Sequence, residues 1–123
     1  MTQDKSLKIL IAEDDEVSEK LLEMIVEKFS KKIYVAKTGF EVLDVCHNNL
    51  DLDLVLMDIK MPEMDGYEAS RQIRLFNKDL IIVAQTAYAL DGDREKAMEA
   101  GCNDYISKPI LKDQLLEVMS KYF

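Results

Sequence analysis

Leu54-Val55-Leu56-Met57 constrains this chain more than any other stretch. Four apolar residues follow the turn-like Asn48-Asn49-Leu50-Asp51 and end in a carboxylate, Asp58. A run of this kind reads as a strand buried on both faces, which belongs in a parallel sheet covered by helices on each side. Asp58 then stands where the strand leaves the core and meets water. In an open parallel sheet that carboxyl edge is where ligands bind. Taken alone, Asp58 reads first as a residue that ends a strand or caps a turn.

Four more short runs share the strand character: Leu7–Ala12, Ile33–Ala36, Leu80–Ala84 and Asp104–Ser107. Helical spacing separates them. Val17, Leu21, Leu22, Ile25 and Phe29 form the first amphipathic stripe. Thr38 with Glu41 has the form of a capping box, opening a helix through Phe40, Leu43 and Cys46. Asp65-Gly66 starts a helix carrying Ala69, Ile73 and Phe76. A fourth helix is expected over 91–100, with Gly101 suited to the left-handed position that closes it. Leu111, Leu115, Val118, Met119 and Tyr122 mark the last. Each parallel crossover needs a helix and both sheet faces must be covered, so the pattern predicts an α/β doubly wound domain over residues 1–123. Right-handed crossovers favour the flavodoxin-like strand order 2-1-3-4-5.

Composition excludes several classes. A net charge of −8 over 123 residues argues against a direct grip on nucleic acid. No apolar run approaches the ~20 residues of a membrane span, and no signal peptide opens the chain, so a cytoplasmic location away from the membrane is expected. Cys46 and Cys102 fit no metal spacing and read as reduced, packed thiols. His47 is the single histidine, which excludes any site needing two.

The expected topology brings strand ends one, three, four and five to one edge. There stand Glu13 and Asp14, then Asp58, Thr86 and Lys108. Three carboxylates together raise one another's pKa values. One divalent cation and one ammonium would neutralise them, and hard oxygen donors without thiolate or imidazole favour Mg²⁺. An exposed aspartate beside a divalent cation, a hydroxyl and a lysine is equipped to attack phosphorus.

These residues resemble the receiver domain of two-component response regulators, a CheY-like fold. The match runs from Lys8 to near the C-terminus through Ile9-Leu10-Ile11-Ala12-Glu13-Asp14, Met57-Asp58 with Met61-Pro62-Glu63-Met64-Asp65-Gly66, Thr86-Ala87, and Tyr105-Ile106-Ser107-Lys108-Pro109. The resemblance implies that Asp58 accepts a phosphoryl group from a phosphohistidine on a histidine kinase or histidine phosphotransfer protein. It implies that Asp14 and Asp58 bind Mg²⁺ directly, with the Lys60 carbonyl, while Glu13 acts through water. Asp15 competes for the acidic-pair role, but the strand ends at Ala12, so Asp15 is better read as a start signal for the first helix. Lys108 would pair with the phosphoryl group, Thr86 would move to hydrogen-bond it, and Tyr105 would turn inward as the partner of that switch. The Lys108-Pro109 bond is often cis in this family. The surface of the fourth helix, fifth strand and last helix would change on phosphorylation and could support a homodimer. Such a domain catalyses only its own phosphotransfer and autodephosphorylation.

Two bulky residues, Lys60 and Tyr88, flank the approach to Asp58 and are expected to tune the lifetime of the acyl phosphate. The segment from Thr86 to Lys96 and Lys108-Pro109-Ile110 resemble receivers within hybrid histidine kinases. The chain is therefore expected to be a stand-alone regulator or a piece of a hybrid kinase. An aspartyl-nucleophile phosphatase would need a second Asp where Lys60 stands. A flavin module would need a Ser/Thr/Gly-rich loop where Glu13-Asp14-Asp15-Glu16 stands. A phosphorylation-independent binding module is a third alternative.

Overall fold

The computed structural model describes residues 6–87 and 92–123. Five parallel strands, β1 (Leu7–Ala12), β2 (Ser30–Ala36), β3 (Leu54–Asp58), β4 (Ile81–Thr86) and β5 (Asp104–Ser107), lie in the order β2-β1-β3-β4-β5. Five helices connect and follow them: α1 (Glu16–Val26), α2 (Gly39–Asn48), α3 (Gly66–Arg74), α4 (Asp93–Glu99) and α5 (Lys112–Ser120). The flavodoxin-like order expected from the strand pattern is the one observed. The expected start of the fourth helix at Asp91 lies outside the described residues, as does Tyr88. Among the described residues no helix is long and apolar enough to cross a membrane.

Strand alternation divides the core in two. Ile9, Ile11, Leu54, Leu56, Val83 and Ile106 pack under α1 and α5, against Leu22, Ile25, Leu115 and Met119. Leu10, Val55, Met57, Ile82 and Ala84 face the other way, against α2, α3 and α4 through Val42, Cys46, Ile73 and Ala97. All five residues of β3 are buried, as a central parallel strand requires.

Capping chemistry sets the helix starts. The side chains of Asp15, Thr38 and Asp65 accept from the backbone N–H of Ser18, Glu41 and Glu68 respectively, three residues on. Asp15 is thus the cap of α1, as expected. Glu41 reaches back to the Lys37 N–H, one residue earlier than an ideal capping box. Gly101 takes φ 102° and closes α4 with the paired bonds Gly101 N to Met98 O and Cys102 N to Ala97 O.

The stripe of α1 differs from expectation. Leu22 and Ile25 are buried with Val26, and Phe29 is buried in the 3₁₀ turn that follows α1 (Glu27–Phe29). Val17, however, is 79% exposed and Leu21 46%, while Glu19 is buried. The helix is rotated so that its first apolar residues face solvent. In α2, Phe40 is likewise exposed and Val42 takes the core position.

Candidate functional site

β1 and β3 are neighbours, so their carboxyl ends bring Glu13 and Asp58 to one edge of the sheet. Glu13 continues the parity of Ile9 and Ile11, and Asp58 that of Leu54 and Leu56, so both leave the sheet on the α1–α5 side. Both are buried, whereas Asp14 is exposed. Carboxylate oxygens of Glu13, Asp14 and Asp58 all lie within 4.8 Å of one another, a cluster able to hold a metal ion.

Lys108 closes this cluster from the end of β5. Its Nζ donates to Glu13 Oε2 at 2.9 Å and forms an ion pair with Asp58 Oδ1 at 3.3 Å. The backbone N–H of Lys60 donates to the same Asp58 oxygen at 3.3 Å, and that of Asp15 to Glu13 Oε1 at 3.1 Å. The Lys108-Pro109 bond is cis.

The electrostatics reflect crowding. Burial and then the neighbouring Glu13 push the Asp58 carboxyl up to about 7, against the opposing pull of Lys108. Burial by itself would lower Lys108, but Glu13 and Asp58 outweigh it and hold the ammonium above its ordinary value. One ammonium is too little charge for three carboxylates. The donor set, hard oxygens with no sulfur or imidazole, suits a divalent cation that would complete the neutralisation.

Thr86 and Tyr105 belong to the opposite face. Thr86 shares the parity of Ile82 and Ala84, and its hydroxyl donates to Asp93 Oδ2 at 3.3 Å, at the start of α4. Tyr105 pairs in register with Ala84 and is half-buried against the same core cluster. Thr86, Lys60, Asp58 and Lys108 all line one cleft of about 360 Å³, so the structure brings together every expected site residue of the acidic cluster. Tyr105 does not line it.

Three contributors were not legible in the sequence. Asp93 holds Thr86, but only the placement of α4 reveals it. Gln85 is the register partner of Asp58 and lines the cleft. Gly66 reads in the sequence as a helix start and as the end of a family motif, without a packing role, yet a Cβ there would meet the Asp58 carbonyl oxygen at 2.4 Å and Ile59 Cα at 2.9 Å. The bond from Gly66 N–H to Ile59 O, 2.8 Å, ties α3 directly to the backbone that carries Asp58.

Comparison with known proteins agrees with this geometry. The chain is 38% identical over 121 residues to Hybrid signal transduction histidine kinase I of Dictyostelium discoideum, covering 92% of this chain but 7% of that protein. It is 33% identical over 116 residues to the polar-differentiation response regulator DivK of Brucella anthropi, covering 93% of this chain and 94% of DivK. A chain in the co-crystal structure of the Saccharomyces cerevisiae histidine phosphotransfer protein Ypd1 with the receiver domain of Ssk1 matches with TM-score 0.88 at 31% identity, over 96% of this chain and 89% of that one. The receiver domain of sensor histidine kinase PA1611 from Pseudomonas aeruginosa PAO1, solved with a magnesium ion in its active site cleft, matches with TM-score 0.84 at 31% identity, over 95% and 97%. Residues 9–120 match the family model of the response regulator receiver domain. With that match, and with strand order and acidic edge in agreement, the chain belongs to the response regulator receiver domain family of two-component signalling.

Proposed function

We propose that Asp58 takes a phosphoryl group from a phosphohistidine, in a Mg²⁺-dependent reaction, and that the resulting acyl phosphate changes the surface read by partners. The observation that carries this is a buried carboxylate inside a three-carboxylate cluster with Lys108 already bonded to it. Asp14 and Asp58 would hold the metal with the Lys60 carbonyl, and Glu13 would act through water. The metal, when bound, supplies positive charge that keeps Asp58 ionised and screens the incoming phosphoryl oxygens. An oxygen of Asp58 attacks phosphorus, the P–N bond breaks, and its electron pair stays on the imidazole of the donor. Lys108 turns from Glu13 towards the phosphoryl oxygens. Thr86 leaves Asp93 for a phosphoryl oxygen, and Tyr105 follows on the same sheet face. Only the different affinities of partners for the two states make this a signal.

The donor's docking surface follows from α1. Val17 (79% exposed), Leu21 (46%) and Met24 (73%) form an apolar face. Beside it lies a groove of about 380 Å³ between Leu21, Leu22, Pro109 and Ile110, with Lys108 in its wall. An apolar groove that shares Lys108 and Gln85 with the cleft lined by Asp58 suits a histidine phosphotransfer protein or kinase domain, a reading supported by the Ypd1–Ssk1 receiver complex. The likeness to a hybrid kinase supports a receiver cut from, or related to, such a chain. The test is transfer of radiolabelled phosphoryl from a phosphorylated histidine phosphotransfer protein. We expect label on this chain with Mg²⁺ and none with chelator; label independent of Mg²⁺ overturns the reading.

A further inference from the structure

Among the buried side-chain atoms of the described residues, three lack a hydrogen-bond partner: Glu19 Oε2 and both polar atoms of the Gln85 amide. A buried amide with neither its carbonyl nor its N–H paired is costly and calls for a reason. Gln85 is 1% exposed and pairs in register with Asp58 on the sheet face shared with Glu13. It lines both the acidic cleft and the groove against α1, and among the described residues Lys108 is the one other that lines both. An unpaired acceptor and an ammonium donor therefore share the same two cavities.

In the arrangement described here Lys108 is held by Glu13 and Asp58. A phosphoryl group on Asp58 replaces one carboxylate charge by close to two, borne on the phosphoryl oxygens, and a cation on the acidic cluster takes over the neutralisation of Glu13. Both changes draw Lys108 away from Glu13. Its ammonium has three N–H donors, more than the phosphoryl group alone would occupy in one direction. We propose that Gln85 is a positioning residue whose Oε1 accepts a hydrogen bond from Lys108 in the phosphorylated state, aiming the ammonium at the phosphoryl group. The inference rests on the reading of Asp58 as phosphoacceptor. An amide orphaned in one state and paired in the other biases the equilibrium towards the second, because only differential contacts shift a two-state balance.

The test compares wild type with Gln85→Leu, close in volume and without the amide. Without Mg²⁺ or phosphodonor, the thermal midpoint of Gln85→Leu should equal or exceed that of wild type, since the orphaned polar atoms are gone. Labelling by acetyl phosphate with Mg²⁺ should fall about tenfold, the loss expected for one hydrogen bond to a charged group. The midpoint gain from Mg²⁺ with beryllofluoride, a mimic of the acyl phosphate, should shrink in parallel. In wild type, the ¹⁵N side-chain amide resonance of Gln85 should shift when beryllofluoride is added, a readout that needs no variant to fold. A Gln85→Leu protein that labels and gains midpoint as wild type does overturns the positioning role while leaving Asp58 as acceptor. So does an unmoved Gln85 amide resonance in a wild type that accepts phosphoryl. Absence of labelling in wild type removes the acceptor reading and this inference with it.

Discussion

Asp58 is a carboxylate kept at a disadvantage until it has company. Burial beside Glu13 raises it to about 7, above the ordinary aspartate value of 3.8. A folded-state value above the unfolded one means that the folded protein binds the proton more tightly. Stability of the metal-free domain therefore falls as pH rises from about 4 to about 7, and the full penalty stands above that window. Asp58→Asn removes it. In urea unfolding with chelator at pH 8, the variant should be more stable, with an upper limit of roughly 4 kcal/mol; the difference should vanish towards pH 4. A variant no more stable than wild type at pH 8 contradicts the crowding described here. At this scale the sequence was informative where a residue directly follows a strand, because topology alone brings Glu13, Asp14, Asp58 and Lys108 together. It was silent on Gln85 and Asp93, whose importance depends on a missing partner and on where α4 sits.

Elements hold the acceptor in place by contact of backbone with backbone. The start of α3 presses on β3 through Gly66, where a Cβ would meet the Asp58 carbonyl oxygen at 2.4 Å. Gly66→Ala must push the helix or the strand end aside, at about 1–3 kcal/mol of stability measured by chemical denaturation. It should also slow phosphorylation by acetyl phosphate, and an unchanged stability and rate would contradict the contact. The helix caps were legible because Asp15, Thr38 and Asp65 each accept a local bond whose geometry the sequence spacing dictates. The α1 stripe was not, because Val17 and Leu21 are apolar for a surface rather than for the core. Val17→Asp combined with Met24→Asp should change stability by no more than about 0.5 kcal/mol per residue, as for exposed sites generally. The same pair should leave labelling by acetyl phosphate intact but cut transfer from a phosphotransfer protein at least tenfold. Equal transfer from wild type and variant would remove α1 from the docking surface.

The whole molecule is a parallel sheet with two differently packed faces. Glu13, Asp58 and Gln85 leave it on the α1–α5 side, where the proposed donor would dock and the phosphoryl group would form. Thr86 and Tyr105 lie on the side of α3 and α4, so in the proposed mechanism a hydroxyl drawn to the phosphoryl group would carry the change across the sheet to the other surface. The strand order was legible because five apolar runs joined by helices leave few right-handed arrangements. The division of labour between faces was legible only in part, since it required knowing which residues of β4 look which way. Phosphorylation of Asp58 through its acidic cluster is the step on which the proposed signalling depends. Intact mass after incubation with acetyl phosphate tests it most directly, with wild type and Asp58→Asn each measured with Mg²⁺ and with chelator. One added phosphoryl group is expected in wild type with Mg²⁺ and in no other sample; an adduct that survives in Asp58→Asn rules out Asp58 as the acceptor, and one that forms without Mg²⁺ rules out the metal requirement.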